Sequence, residues 1–599
     1  MAPNKLAELP PELLSQVTDY LESASSIAKL GTTSKSLHAF VEKDAWKGFC
    51  RTRFPTTAPQ TDYGQAYSHT ARTLTSLSQA FDRRAFIARY IEPRGEVTAF
   101  PQGTKLERWT RPRGQTIGFI PHLDVYEDVS STRREEHLAF SAGAEVCLGQ
   151  TSRRKSSEKT TWTTYKPHSA SEGRDDVTSL HLVRPEGGGK SKREIIIGTA
   201  NGDLQLVTLP SGSSDDQKVA ITYFTTQGLP VRSSSLYQRP GQPAILAASL
   251  GDSKIALYQI DREQRKIAPS SEMTLKPILR ADGNPSTQHR AWSTTMLSSS
   301  LLAAGVGPST EPIHIYPITE SGISRDALRK FSLNIDGDKV DNGPSSPAGM
   351  MSSVYTIVPL TSSSDSSSSN VFLSGAYDGI VRLHDLRSSR DSEQSYIDPA
   401  DDSAIYSILP RGQEKLLTGT SRHNLLKVFD LRIGKKCYDY RNASKAGRRD
   451  LDSDDEAPDF NIFLRSNEPP GQGNRGWQRN RTKESSVYSL ASSSADSPYI
   501  YAGLENAIMS LAFTEILDDH PDSTFFDPWS SRIDKKLASS SRTVIEREVL
   551  SLAMYDQGSN MSLRVQRSPG ETWQFWRSTA QKTRGRLDER WKSSAETGI

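Results

Sequence analysis

VFLSGAYDGIVRLHDLR, residues 371–387, reads as two short strands joined by a tight turn. Apolar Val371, Phe372 and Leu373 run into the small residues Ser374, Gly375 and Ala376. Asp378-Gly379 then supplies the positive φ that a right-twisted hairpin needs, and a second apolar run follows. The same order recurs in EHLAFSAGAEVCLGQ, EIIIGTANGDLQLVTL, AILAASLGDSKIALYQI, LLAAGVGPSTEPIHIYPI, KLLTGTSRHNLLKVFDLR and YIYAGLENAIMSLAF. Most copies have a further strand upstream, such as VTSLHLV, VRSSSLY, VYTIVPL, AIYSILP and VYSLAS. Asn201-Gly202 repeats the hairpin dipeptide, and Gly198, Ala200, Gly375, Ala376 and Gly419 allow close packing near a crowded centre. Seven short sheets around a centre make a propeller; six or eight blades are the alternatives to seven.

Seven blades of about 40–45 residues need roughly 300. The interval 96–515 is longer, so the surplus falls in loops: the Ser-rich TSSSDSSSSN (361–370) and a long polar stretch at 446–486, read as a disordered insertion. The ring must close with an outer strand from the other end of the chain, and either 96–100 (EVTAF) or 548–557 (EVLSLAMYDQ) is able to serve.

The fifth and sixth copies resemble WD40 repeats, with Asp385 and Asp430 where that family ends its third strand in Trp-Asp. The other copies depart from the pattern, and the family's Gly-His dipeptide is not apparent. The ends HDLR and FDLR also resemble the Asp-x-Arg signature of ubiquitin-ligase receptors that dock on a cullin through a propeller-type adaptor. That resemblance makes Arg387 and Arg432 alternative adaptor contacts.

Composition narrows the class. Lys and Arg number 74 against 71 Asp and Glu, a net charge of +3, so no uniform field points to nucleic acid or a membrane. Hydrophobic residues make up 35% and the mean hydropathy is −0.57, which implies ordered cores diluted by solvated segments. Cys50, Cys147 and Cys437 lie far apart, spell neither a disulfide framework nor a zinc site, and suit a reducing cytoplasmic or nuclear setting. The N-terminus has no apolar h-region and no run of about 18 apolar residues occurs, so neither a signal peptide nor a membrane span is expected. The sequons at Asn442 and Asn560 are read as chance matches.

The front of the chain differs in kind. In LAELPPELLSQVTDYLES (6–23), Pro10 and Pro11 ahead of Glu12 suit a helix start, and a helix is expected over 11–21. Leu13, Leu14, Val17, Tyr20 and Leu21 form one broad stripe. Ile27 and Leu30, then Leu37, Phe40 and Val41, and finally Trp46, Phe49 and Phe54 follow. Three short helices in some 50 residues bury only a small core, so part of the stripe calls for a partner.

The order Leu-Pro-x-Glu-Leu-Leu, Val17, Tyr20-Leu21 and LGTTSKSLHAFVEKDAWKGFCRTRFP, over residues 5–54, resembles an F-box, with Leu37 where many F-boxes have Trp. The resemblance implies docking on a Skp-type adaptor and, through it, a cullin scaffold, with Leu9, Pro10, Leu13, Leu14, Val17 and Leu21 facing the adaptor. TARTLTSLSQAFDRRAFIARYI is read as a connecting helix with Leu74, Leu77, Phe81 and Ala85 on one face. Its AFDRRAFIARYIEP portion is similar to fungal-type F-box proteins.

No catalytic constellation is apparent. Gly189-Lys190-Ser191 ends like a phosphate-binding loop, but Arg184 stands where the first glycine belongs, and a strand follows instead of a helix. No H-E-x-x-H motif or G-x-S-x-G elbow occurs, and neither a cofactor nor a metal is expected. Ser453, ahead of Asp454, Asp455 and Glu456, is a candidate phosphosite. Trp573, Phe575, Trp576 and Trp591 in the basic tail either bind a partner or fold back on the body.

The expected chain is therefore multidomain: a small all-α F-box (1–60), a connecting helix (61–95), an all-β WD40-like propeller (96–557) and a tail (558–599). The combination implies a non-catalytic substrate receptor of a Skp–cullin–F-box ubiquitin ligase that binds an unidentified protein. An interaction scaffold without ligase function is the alternative.

Overall fold

Each of the seven repeats becomes one sheet with an antiparallel inner part in the computed structural model. It describes residues 6–54 except 22, 67–82, 553–554, and 87–513 except 94, 110–111, 131–132, 155–156, 186–192, 211–218, 240–241, 277–289, 334–350, 361–369, 399–400, 413, 432–459 and 465–484. The innermost strands are Leu123–Ser130, Val177–Val183, Val231–Tyr237, Arg290–Ser298, Val354–Pro359, Ile405–Arg411 and Val487–Ala491. Each packs beside the next and the last beside the first, which closes a seven-bladed ring.

The quoted stretch forms Val371–Ala376 and Val381–Asp385, paired with Gly375 opposite Val381. Gly379 has φ +76° and a Cβ there would meet the backbone of Asp402 at 2.8 Å, so the turn needs glycine for conformation and for space. Gly419 serves the centre instead: its Cβ would lie 2.6 Å from the carbonyl oxygen of Val487 in the next blade.

Two expectations about the ring are corrected. Its closing strand is neither 96–100 nor 548–557 but Ile87–Tyr90, which pairs antiparallel with Ala507–Ala512 from Ile87↔Ala512 to Tyr90↔Met509. Val97–Phe100 instead lies parallel to the outer strand of blade one, and Ala553–Met554 pairs outside blade six. Nor is 446–486 wholly an insertion, since Phe460–Phe463 is the strand beside Leu425–Asp430 in blade six. Only an open edge with its unpaired amides makes such short segments into strands.

Among the described residues, five helices precede the ring: α1 (Pro11–Asp19), α2 (Ala24–Thr33), α3 (Lys35–Phe40), α4 (Trp46–Arg53) and α5 (Tyr67–Asp82). Ser23 and Ser34 cap α2 and α3, their hydroxyls accepting from the amides of Ser26 at 3.1 Å and Leu37 at 3.2 Å. A π turn, Val41–Ala45, joins α3 to α4. Leu14, Ile27, Leu37, Phe40, Trp46, Phe49 and Phe54 form the helical core.

One side of α5 serves two cores. Ala71 and Leu74 belong to the helical one, whereas Leu77, Ala80 and Phe81 join the core of blades six and seven. Phe81 stacks on Phe513 with centroids 4.0 Å apart and planes at 16°. The helix ends at Asp82, and Ala85 of the expected face lies outside the described residues. Past it the period changes from helical to alternating, with Ala88 and Tyr90 buried against blade seven. The anchored Phe81 releases the chain beside that blade's open edge, so the nearest strand-forming segment closes the ring.

Candidate docking surfaces

Among the described residues, the large apolar side chains left exposed gather mainly in two places. The first is α1. Pro10, Leu13, Val17 and Tyr20 follow at intervals of three and four residues and share one helical face. Leu13 is 45% exposed, Val17 38% and Tyr20 85%, with Leu6 exposed in the preceding turn. Glu8, Glu12 and Asp19 rim the stripe with carboxylates.

The six residues expected to face an adaptor therefore divide. Pro10, Leu13 and Val17 are exposed; Leu9 and Leu21 are half-buried against the helical core, and Leu14 is inside it. Spacing places all of them on one broad stripe, and the packing of α4 against α1 decides which half is covered.

The second surface surrounds the central opening at the start of the innermost strands. Six blades carry a register shift at one position, between Val177/Ser179, Val231/Ser233, Ala291/Ser293, Val354/Thr356, Ile405/Ser407 and Val487/Ser489. The skipped residue has no cross-strand partner, and a bulge of this kind re-aims its side chain. Blades two and three place Thr178 and Arg232 there; blades four to seven place Trp292, Tyr355, Tyr406 and Tyr488.

These four rings, all half-buried, touch in sequence. Trp292 meets Tyr355 edge-on at 4.9 Å, Tyr355 meets Tyr406 edge-on at 5.3 Å, and Tyr406 stacks on Tyr488 at 6.1 Å. The indole N–H of Trp292 donates to the carbonyl of Gly307 at 3.3 Å, which fixes that ring. Burial raises the pKa of Tyr355, helped by Tyr406 and Tyr377 and opposed by Arg290. Tyr488 is raised by burial, and the Glu505 carboxylate adds to it. Ile117, Ile120, Met351 and Tyr377 stand exposed in loops at this end.

Sequence reading missed the aromatic arc. Its signal was there: Ala-Trp-Ser, Val-Tyr-Thr, Ile-Tyr-Ser and Val-Tyr-Ser open four first strands at corresponding positions.

The two surfaces occupy opposite ends of the propeller. The lower part of α5 packs beside Arg411, Glu414 and Lys415, at the hairpin between the first two strands of blade six, away from the aromatic end. Arg411 is buried there and donates to the carbonyl of Ser494 at 2.6 Å, tying blade six to blade seven.

The remaining expectations have plain outcomes. Arg387 is exposed and held by its neighbour, Nη2 donating to Asp385 Oδ2 at 2.7 Å. Arg432, Ser453, Gly189-Lys190-Ser191 and the tail aromatics lie outside the described residues. His384 is a core residue, its Nε2 2.8 Å from the Ser374 hydroxyl. Among the described residues no group of His, Cys, Asp and Glu is arranged to hold a metal ion.

The F-box-like family profile matches residues 6–52, so the helical domain is F-box-like and the chain couples it to a seven-bladed propeller. No curated protein matches the sequence. Among solved structures, the crystal structure of Chaetomium thermophilum Raptor is similar with a TM-score of 0.38 and 10% identity, over 85% of this chain and 40% of that one. This chain thus spans well under half the length of that protein.

Proposed function

We propose that this protein, an F-box-like domain coupled to a seven-bladed propeller, is the substrate-recognition subunit of a Skp–cullin–F-box ubiquitin ligase. The exposed face of α1 docks a Skp-type adaptor, the adaptor joins a cullin scaffold, and the aromatic end of the propeller holds the target protein. F-box domains generally bind such adaptors, and the stripe of Pro10, Leu13, Val17 and Tyr20 leaves apolar surface that the small helical core does not cover.

The observation that carries this reading is the placement of two exposed apolar surfaces at opposite ends of a body joined through α5. A receptor of this kind acts by proximity: it holds a target lysine near the ubiquitin-charged enzyme and raises its effective concentration. The chain itself contributes no catalytic group, needs no cofactor, and works in the cytoplasm, the nucleus or both.

The test is co-purification of the full chain with a recombinant Skp-type adaptor and cullin, followed by ubiquitin transfer to proteins held by the propeller. Retention of adaptor and cullin, lost on deleting residues 6–54, supports the ligase. An intact chain that retains neither overturns it.

A further inference from the structure

Resting on the reading of the aromatic end as the target site, we propose that it takes an extended, proline-containing peptide segment with an acidic residue at one end. The arc of Trp292, Tyr355, Tyr406 and Tyr488 presents a corrugated strip of ring edges and faces whose neighbours touch, leaving no slot between them for an inserted side chain.

Two ligand classes compete for such a strip. A lysine or methylated ammonium ion prefers an open aromatic cage. Here the Trp292 face is already covered by the guanidinium of Arg290, 3.6 Å from the ring centroid, so the strongest cation site is taken by the protein itself. A polyproline-type segment fits better. Its pyrrolidine rings lie flat on aromatic surface, its carbonyls lack internal partners and accept from tyrosine hydroxyls, and its stiffness reduces the ordering cost.

Charge sets the direction. At the blade-three and blade-four end stand Arg232 and Arg290; Arg232 shares one carboxylate, Asp252 at 3.5 Å, in an exposed pair. The Arg232–Asp252 pair is exposed on both sides, and exposed pairs of this kind yield readily to a competing anion. At the blade-seven end the Glu505 carboxylate is close enough to act on Tyr488. An acidic residue therefore belongs toward Arg232 and Arg290, with the prolines running over Tyr355 and Tyr406.

The test is fluorescence anisotropy of the full chain, without adaptor, against labelled synthetic peptides: an acidic proline-rich sequence, the same with prolines changed to alanine, and the same with acids changed to lysine. The first binds, and each change weakens it by about tenfold. Tyr406→Ala loses about tenfold while the chain still unfolds cooperatively, Tyr406→Phe retains most of the affinity, and Arg290→Ala removes the preference for acid over lysine. Equal binding of the alanine peptide, preference for the lysine peptide, or indifference to Tyr406→Ala would overturn the proposal. Because the assay contains no adaptor, its failure is separate from failure of the ligase reading.

Discussion

Truncating Leu13 and Val17 together should weaken adaptor binding about thirtyfold while leaving the fold alone. The two side chains are 45% and 38% exposed, so each offers roughly 60 Å² of apolar surface to a partner, and alanine removes about two thirds of it. At about 25 cal/mol per Å² this is ~1 kcal/mol each, or ~2 kcal/mol together, a roughly thirtyfold rise in Kd. Their exposure keeps the stability change of the free chain within about 0.5 kcal/mol. Leu14→Ala is the contrast: at 5% exposure it opens the helical core and costs ~3 kcal/mol of folding free energy. Calorimetric titration of purified Skp-type adaptor into wild type, the double variant and Leu14→Ala, beside urea unfolding of each, separates the cases. A double variant that binds as tightly as wild type, or that unfolds like Leu14→Ala, would refute the division of α1 into a docking face and a core face.

Three further outcomes follow from the packing. Phe81→Ala removes a ring that is 3% exposed and stacked on Phe513, and should cost ~3–4 kcal/mol in urea unfolding; a loss below about 1 kcal/mol would mean that α5 is not anchored there. Gly419→Ala sets a Cβ 2.6 Å from a backbone oxygen of the next blade and should destabilise by ~1–3 kcal/mol, whereas Gly48→Ala, inside α4 with only an Asp19 oxygen at 3.8 Å, should stabilise by up to ~1 kcal/mol in the same assay. Burial lowers the pKa of His384 from 6.5 to about 3. Its neutral form is the folded one, so its contribution is present above pH 6.5 and is lost toward the folded value, by up to about 1.4 kcal/mol per pH unit. His384→Gln should lessen the slope of the stability profile between those limits, with the part due to His122 and His181, which burial lowers to about 4, remaining; an unchanged slope would exclude His384 as a contributor.

Hairpins, the start of the first helix and blade number were legible in the sequence because each depends on residues within one turn or one hairpin. Asp378-Gly379 specifies its turn wherever the chain goes, and Pro10-Pro11-Glu12 starts α1 unaided. The docking stripe was legible as a stripe, since helical spacing alone defines it. Which residues it exposes was not: Leu13 and Leu14 are equally apolar neighbours, and only the helices packed on α1 put one outside and the other in. Ring closure and the outer strand of blade six were decided in the same way, by which blade edge lay open beside Ile87–Tyr90 and Phe460–Phe463. The aromatic arc required the whole ring. Trp292, Tyr355, Tyr406 and Tyr488 lie dozens of residues apart, and become neighbours only when seven local hairpins share a centre and each bulge meets the next. Local backbone preference acts along the chain and is written there, while burial and adjacency arise between distant segments and exist only once the ring has closed.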